Sequence, residues 1–205
     1  MYYPPSSMSA MVGGVSPHPA WRCILLSGPA GSGKTTACRL GYRAMAATWG
    51  HRAAAIDTDQ LYLNVDARWE LPYDDARNAM VLAQAADLAI SLAGHGWQTI
   101  IICGNSLFDP ADTGPLLARL GPVAEIYHVT LAPALPAVLA RCAGQPGRGP
   151  SRLAADVELL ARKVHPGSAL LDNSNMTPEQ TLTEMARLVG TGAGRLNCPP
   201  GQGAI

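Results

Sequence analysis

The octapeptide Gly28-Pro-Ala-Gly-Ser-Gly33-Lys34-Thr35 fits the pattern G-x-x-x-x-G-K-[ST], and it constrains the fold of this chain more than any other stretch. Such a segment works only between a strand and a helix. Glycines let the backbone wrap, its N–H groups converge on a phosphate, and the helix N-terminus adds positive potential. Both flanks are present. Arg22-Cys-Ile-Leu-Leu-Ser27 is a short apolar run that reads as a buried strand, and Thr36 through Ala47 reads as a helix. Among 15 basic residues only Lys34 and Lys163 are lysines, so one of the two falls on the motif. A ligand-free turn has no need of a lysine followed by a hydroxyl. The segment is therefore read as a phosphate-binding loop, or P-loop. Gly28, Pro29, Ala30, Gly31, Ser32, Gly33, Lys34, Thr35 and Thr36 are its expected nucleotide contacts. Lys34 would reach the outer phosphates and the Thr35 hydroxyl would ligate Mg²⁺.

The rest of the chain alternates strand and helix patterns. Strands are expected at Arg52–Asp57, Trp97–Cys103, Val123–Val129 and Ser168–Asp172, and helices at Asp74–Ala93, Ala134–Cys142 and Arg152–Val164. Thr177-Pro178 opens a last helix, reaching about Val189, with an N-cap followed by proline at the first helical position. This alternation predicts an α/β fold, a five-stranded parallel sheet with helices on both faces. Gly144-Gln-Pro-Gly-Arg-Gly-Pro150 is turn-rich and suits a small lid. Residues 1–20 and 191–205, rich in Pro, Gly and Ser, are expected to be a disordered N-terminal extension and a flexible C-terminal tail around a domain over 21–190.

A formal net charge of zero gives no global field to draw the chain to nucleic acid or an anionic membrane. No apolar stretch approaches the roughly 18 residues of a membrane span, and the N-terminus has no secretory pattern. Five scattered cysteines (Cys23, Cys38, Cys103, Cys142, Cys198) lack metal-ligand spacing and read as small buried hydrophobes in a reducing cytoplasm.

In a parallel sheet of this kind the ligand crevice lies beyond the carboxyl ends of the strands. The informative residues are those just after each strand: the P-loop, Asp57 and Asp59, the segment Gly104–Asp109, and Asn173-Ser174. Phosphoryl transfer asks for a phosphate cradle, a metal, a group that takes the acceptor's proton, and positive charge for the transferring group. Asp57-Thr-Asp59 would supply two carboxylates on one side of an extended chain, either of them a base or a metal ligand, or an N-cap for the segment that follows. Arg141, Arg148 and Arg152 bracket the lid segment, and their planar forks suit phosphate oxygens.

These features resemble the small P-loop kinases that include polynucleotide 5′-kinase, chloramphenicol phosphotransferase, zeta toxins, and gluconate and adenylylsulfate kinases. The resemblance runs from about Cys23 to Val189 and rests on the P-loop, the acid after the second strand, the arginine-bearing loop and the final strand-Asn-Ser turn. It implies that Asp59 deprotonates the acceptor hydroxyl, with Asp57 as runner-up or metal partner. It implies that Lys34, Arg148 and Arg152 serve the transferring phosphate, with Arg141 and Asn173 at the nucleotide. The chain departs from many P-loop proteins in one respect: Ile100-Ile-Ile-Cys103 runs into Gly104-Asn105, with no acid for the magnesium. That departure, and the lack of an N-K-x-D motif, count against a motor ATPase and a regulatory GTPase.

The expected activity is transfer of a phosphoryl group from ATP, with GTP as the alternative donor and Mg²⁺ as cofactor, to a hydroxyl of a small molecule. An antibiotic or natural product is the leading acceptor. A metabolite, nucleotide or polynucleotide 5′-hydroxyl is the second reading, and a non-catalytic nucleotide switch the third. Leu61, Tyr62, Leu63, Arg68, Trp69, Leu71, Pro72, Tyr73 and Arg77 concentrate apolar and aromatic character near Asp59, as core or as acceptor wall. His95, His128 and His165 read as structural. A cytoplasmic monomer or homodimer, with no membrane or nucleic-acid partner, completes the expectation.

Overall fold

The computed structural model describes residues 21–65, 75–107 and 109–198. The expected N-terminal extension and most of the aromatic stretch between Asp59 and Arg77 lie outside these residues.

Among the described residues five strands are present: β1 (Arg22–Ser27), β2 (Ala53–Asp57), β3 (Thr99–Cys103), β4 (Glu125–Leu131) and β5 (Ala169–Leu171). They form one parallel sheet in the order β2-β3-β1-β4-β5. Seven α-helices accompany them among the described residues: α1 (Lys34–Trp49), α2 (Thr58–Val65), α3 (Asp75–Gly94), α4 (Pro110–Leu120), α5 (Leu135–Cys142), α6 (Pro150–Lys163) and α7 (Pro178–Gly190). Side chains alternate across the strands, so each face collects its own core. Cys23, Leu25, Ile100, Ile102 and Ile126 pack against Leu82, Ala85 and Ala89 of α3 and Leu116 and Leu120 of α4. Ile24, Leu26, Ile101, Val129 and Leu131 pack on the other face against Met45 of α1 and Leu182, Met185 and Val189 of α7. With β1 in the middle and covered on both sides, the P-loop emerges at the centre of the sheet. The connection from β1 runs to β2 on one side of it, and that from β3 runs to β4 on the other, so the strand order reverses about β1 and a switch point opens a crevice there.

Helices α2 and α4 are additions to the expected elements. Helix α4 begins at Asp109-Pro110, where the Asp109 side chain accepts from the Ala111 N–H at 3.0 Å and proline holds the first helical position. The same N-cap-plus-proline signal marks α7, where Thr177 and Gln180 form a reciprocal capping box.

Residues 194–196, within the expected tail, pair with the sheet. The His128 N–H donates to Gly194 O at 2.8 Å, the Leu196 N–H to Ile126 O at 2.9 Å, and Arg195 pairs with Glu125 at 3.0 Å. Because β5 covers only residues 129–131 of β4, the lower half of that edge is open, and residues 194–196 close it.

His128 lies within β4 and is buried, with Nδ1 at 2.8 Å from Ser168 Oγ. Ser168 Oγ reaches Thr130 Oγ1 at 2.6 Å, and Thr130 reaches Ser27 Oγ at 2.9 Å. The chain of hydroxyls thus ends on the residue before the P-loop. Burial, and then the neighbouring His165 ring, push the His128 pKa down to about 4, so it is neutral at physiological pH.

Candidate active site

The P-loop is locked by close approach of neighbouring backbone. Gly28 has φ +143°, and a Cβ there would lie 2.5 Å from Leu131 O and 2.8 Å from Ser32 Oγ. Lys34, the first residue of α1, folds back over the loop and donates to Gly28 O at 2.7 Å and Pro29 O at 3.0 Å. An ammonium has three donors, so one remains for a phosphate oxygen. Burial lowers the Lys34 pKa from the usual lysine range, and the Asp59 carboxylate is the strongest charge opposing that shift. Ser32 Oγ is buried with no hydrogen-bond partner among the described residues, as is Asn173 Oδ1. Orphaned polar atoms beside a glycine-built cradle are what a phosphate-bearing ligand would satisfy.

A cavity of about 510 Å³ opens over this loop. It is lined by the P-loop from Ala30 to Thr35, Thr36, Asp59, Asn105, Arg141, Arg148 and Asn173, together with Cys142, Gln145, Met176 and Thr181. Nearly all the expected nucleotide residues therefore meet in one place. Asn173, just beyond β5, donates from Nδ2 to Ser32 O at 2.9 Å. Arg141 donates to Asn173 O at 2.6 Å and Ser174 O at 3.3 Å, tying α5 to the loop after β5.

The two carboxylates after β2 behave differently from an extended pair. Helix α2 starts at Thr58, so Asp57 and Asp59 straddle a strand-to-helix corner. Asp57 accepts the Asp59 N–H at 3.0 Å, which satisfies one of the otherwise orphaned donors of the first turn, and it does not line the cavity. Asp59 does line it. Burial raises the Asp59 pKa above the usual carboxylate range, while the Asn105 N–H and then Lys34 pull it back.

The lid arginines also separate. Arg148 lines the cavity, and its charge is felt by both Lys34 and Asp59. Arg152, on the exposed first turn of α6, donates to Gly147 O at 3.4 Å and stays outside the cavity. In the acceptor segment, Tyr62 is buried and Leu61 packs on the core, so these two serve packing. Asn105, Gln145, Met176 and Thr181 carry no motif; position after a strand could have pointed to Asn105 and the lid to Gln145, while Thr181 lies inside α7.

Among the described residues no three His, Cys, Asp or Glu side chains gather as a metal site. The Thr35 hydroxyl, which lines the cavity, is an oxygen donor of the kind that Mg²⁺ would take. No helix among the described residues is long and apolar enough to cross a membrane.

No protein-family model matches this chain, and no curated protein matches it in sequence. Solved structures do match its fold. A sugar kinase from Janibacter sp. HTCC2649 superposes with TM-score 0.59 at 20% identity, covering 84% of this chain and 95% of that one. An APS kinase from Mycobacterium tuberculosis, in complex with AMPPNP and APS, gives 0.61 at 17% identity over 84% and 99%. A tunicamycin resistance protein from Deinococcus radiodurans gives 0.59 at 17% identity over 83% and 96%. The architecture is that of the small P-loop kinases.

Proposed function

We propose that this protein is an ATP- and Mg²⁺-dependent phosphotransferase acting on a hydroxyl of a small molecule. The observation that carries this reading is the placement of the Asp59 carboxylate opposite Lys34 in the cavity over the P-loop. A nucleotide-binding switch needs the cradle and commonly an acid for the metal at the end of the third strand; a carboxylate that instead follows β2 is what an acceptor hydroxyl would use. Asp59 accepts the proton of the acceptor hydroxyl as that oxygen bonds to the γ-phosphorus and the bond to the β–γ bridging oxygen breaks, leaving the diphosphate. Lys34 and Arg148 place positive charge beside the oxygens where negative charge is redistributed. Bound Mg²⁺ would supply further neutralisation of the phosphates. Arg141 and Asn173 hold the nucleotide side of the cavity in register with the loop.

The cavity of about 510 Å³ is sized for small ligands, and zero net charge gives no long-range pull on a nucleic acid. Among the matched structures are an APS kinase, a shikimate kinase and a gluconokinase, and one is named for resistance to tunicamycin. This supports an acceptor of that size, with a hydroxylated antibiotic or natural product as the first candidate. ADP release measured across a panel of sugars, sugar acids, nucleosides, oligonucleotide 5′-ends and hydroxylated antibiotics tests the reading. Turnover with one small acceptor, lowered about a hundredfold or more by Asp59→Asn at unchanged nucleotide affinity, is the expected outcome. Nucleotide binding with no acceptor-dependent turnover would return the protein to the switch reading.

A further inference from the structure

We infer that Asn105 is the positioning residue that holds the Asp59 carboxylate, an inference that rests on the reading of Asp59 as the base. Strands β2 and β3 are paired with Asp57 opposite Cys103, so the segments leaving their carboxyl ends run side by side. Gly104, next after β3, has φ +149°, and a Cβ there would lie 1.9 Å from Thr58 Oγ1 and 3.2 Å from Asp59 Oδ1. The first turn of α2 therefore rests directly on the Gly104 backbone, which only glycine permits. That close approach delivers the next residue onto the base. The Asn105 backbone N–H donates to Asp59 Oδ1 at 3.3 Å, and its side-chain Nδ2 donates to Oδ2 at 3.4 Å.

Each carboxylate oxygen thus has one donor from Asn105, which fixes the plane of the group. Each can accept more than one hydrogen bond, so capacity remains for the acceptor's proton. The distances are long, as is common before a substrate complex tightens such contacts. The Asn105 side chain is exposed at the cavity wall, so the fold has little stake in it. Where many P-loop proteins end this strand with an acid for the magnesium, this chain presents an amide donor to a neighbouring carboxylate instead. Holding a base within a few tenths of an ångström of its productive position is worth an order of magnitude or more in rate.

The test uses the acceptor found by the panel and measures single-turnover rates for Asn105→Ala and Asn105→Asp, each alone and combined with Asp59→Asn. Asn105→Ala should lower the rate about tenfold with KM unchanged for both substrates. Asn105→Asp, the same shape with the donor replaced by a second carboxylate, should lower it further. Either change in the Asp59→Asn background should cost less than twofold more, because the group it positions is already gone. An effect on acceptor KM alone would make Asn105 a contact of the acceptor and overturn the inference. So would losses that multiply in the double variants, or an unchanged rate in Asn105→Ala beside a crippled Asp59→Asn. A fully active Asp59→Asn would instead overturn the assignment of the base itself.

Discussion

The two walls of the cavity are built in opposite ways. The P-loop wall grows from the centre of the sheet: Ser27 is tied to Thr130, Lys34 to two loop carbonyls, and Asn173 to Ser32 O, all among buried residues. The lid wall hangs on a small apolar cluster, Val138, Cys142 and Leu153, packed against Ala30, and residues 143–150 between its helices are exposed throughout. Its far end is held by Lys163, which donates to the Asp109 carboxylate that caps α4. The difference teaches a division of labour. The phosphate cradle is preorganised because it is continuous with the core, whereas the cationic wall has little buried surface and belongs to the low-stability end of the molecule.

The largest expected effect breaks chemistry without breaking either wall. Lys34→Ala should reduce phosphoryl transfer by about a thousandfold or more, since a charge aimed at the transferring group is lost from a water-poor site. Circular dichroism should show the same fold, because the loop turns on its glycines. Near-normal turnover in this variant would refute the role of the loop in catalysis.

Core truncations then set the two walls against each other. Leu25→Ala, fully buried in β1, should cost about 3 kcal/mol of global stability in a denaturant titration. Leu153→Ala, in the lid cluster, should cost less and should act locally, raising hydrogen exchange in residues 143–157 while leaving the strands protected. Equal global losses would mean that the lid is an integral part of the core.

The smallest predicted effect discriminates between neighbouring arginines. Arg148→Ala should lower kcat roughly tenfold to a hundredfold with nucleotide affinity little changed, since its contact would form fully only in the closed complex. Arg152→Ala should change kcat less than twofold, because that side chain sits on the outer turn of α6. Exchange of those two phenotypes would require a lid conformation in which α6 rotates into the cavity.

Much of the fold and the phosphate site is legible along the chain. The octapeptide specifies its own chemistry, because only a glycine-rich turn between strand and helix can aim backbone donors at a phosphate, and the flanking strand is a continuous apolar run. The alternation of such runs with capped helices fixes a parallel sheet and places the crevice. Helix α4 carries an Asp-Pro start and buries Thr113, Leu116 and Leu120 on one face, yet Gly114 and Pro115 on its exposed face lower its intrinsic helix propensity and read as a turn. What the sequence leaves open concerns residues whose role depends on where a neighbour lies. Asp57 and Asp59 are two apart and chemically identical; a helix starting between them turns one into a cap and the other into the cavity's carboxylate. Arg148 and Arg152 lie equally close to the lid glycines, and only the position of α6 separates them. Asn105 is an unremarkable amide until β2 and β3 lie side by side and Gly104 lets α2 settle against it. Residues 194–196 read as tail because their composition buries little surface, yet the short β5 leaves an open strand edge whose backbone donors and acceptors they complete. Motifs made of contiguous residues are decided by local backbone physics and can be read along the chain. Sites assembled from separate loops depend on strand order and register, which pairing across the sheet decides.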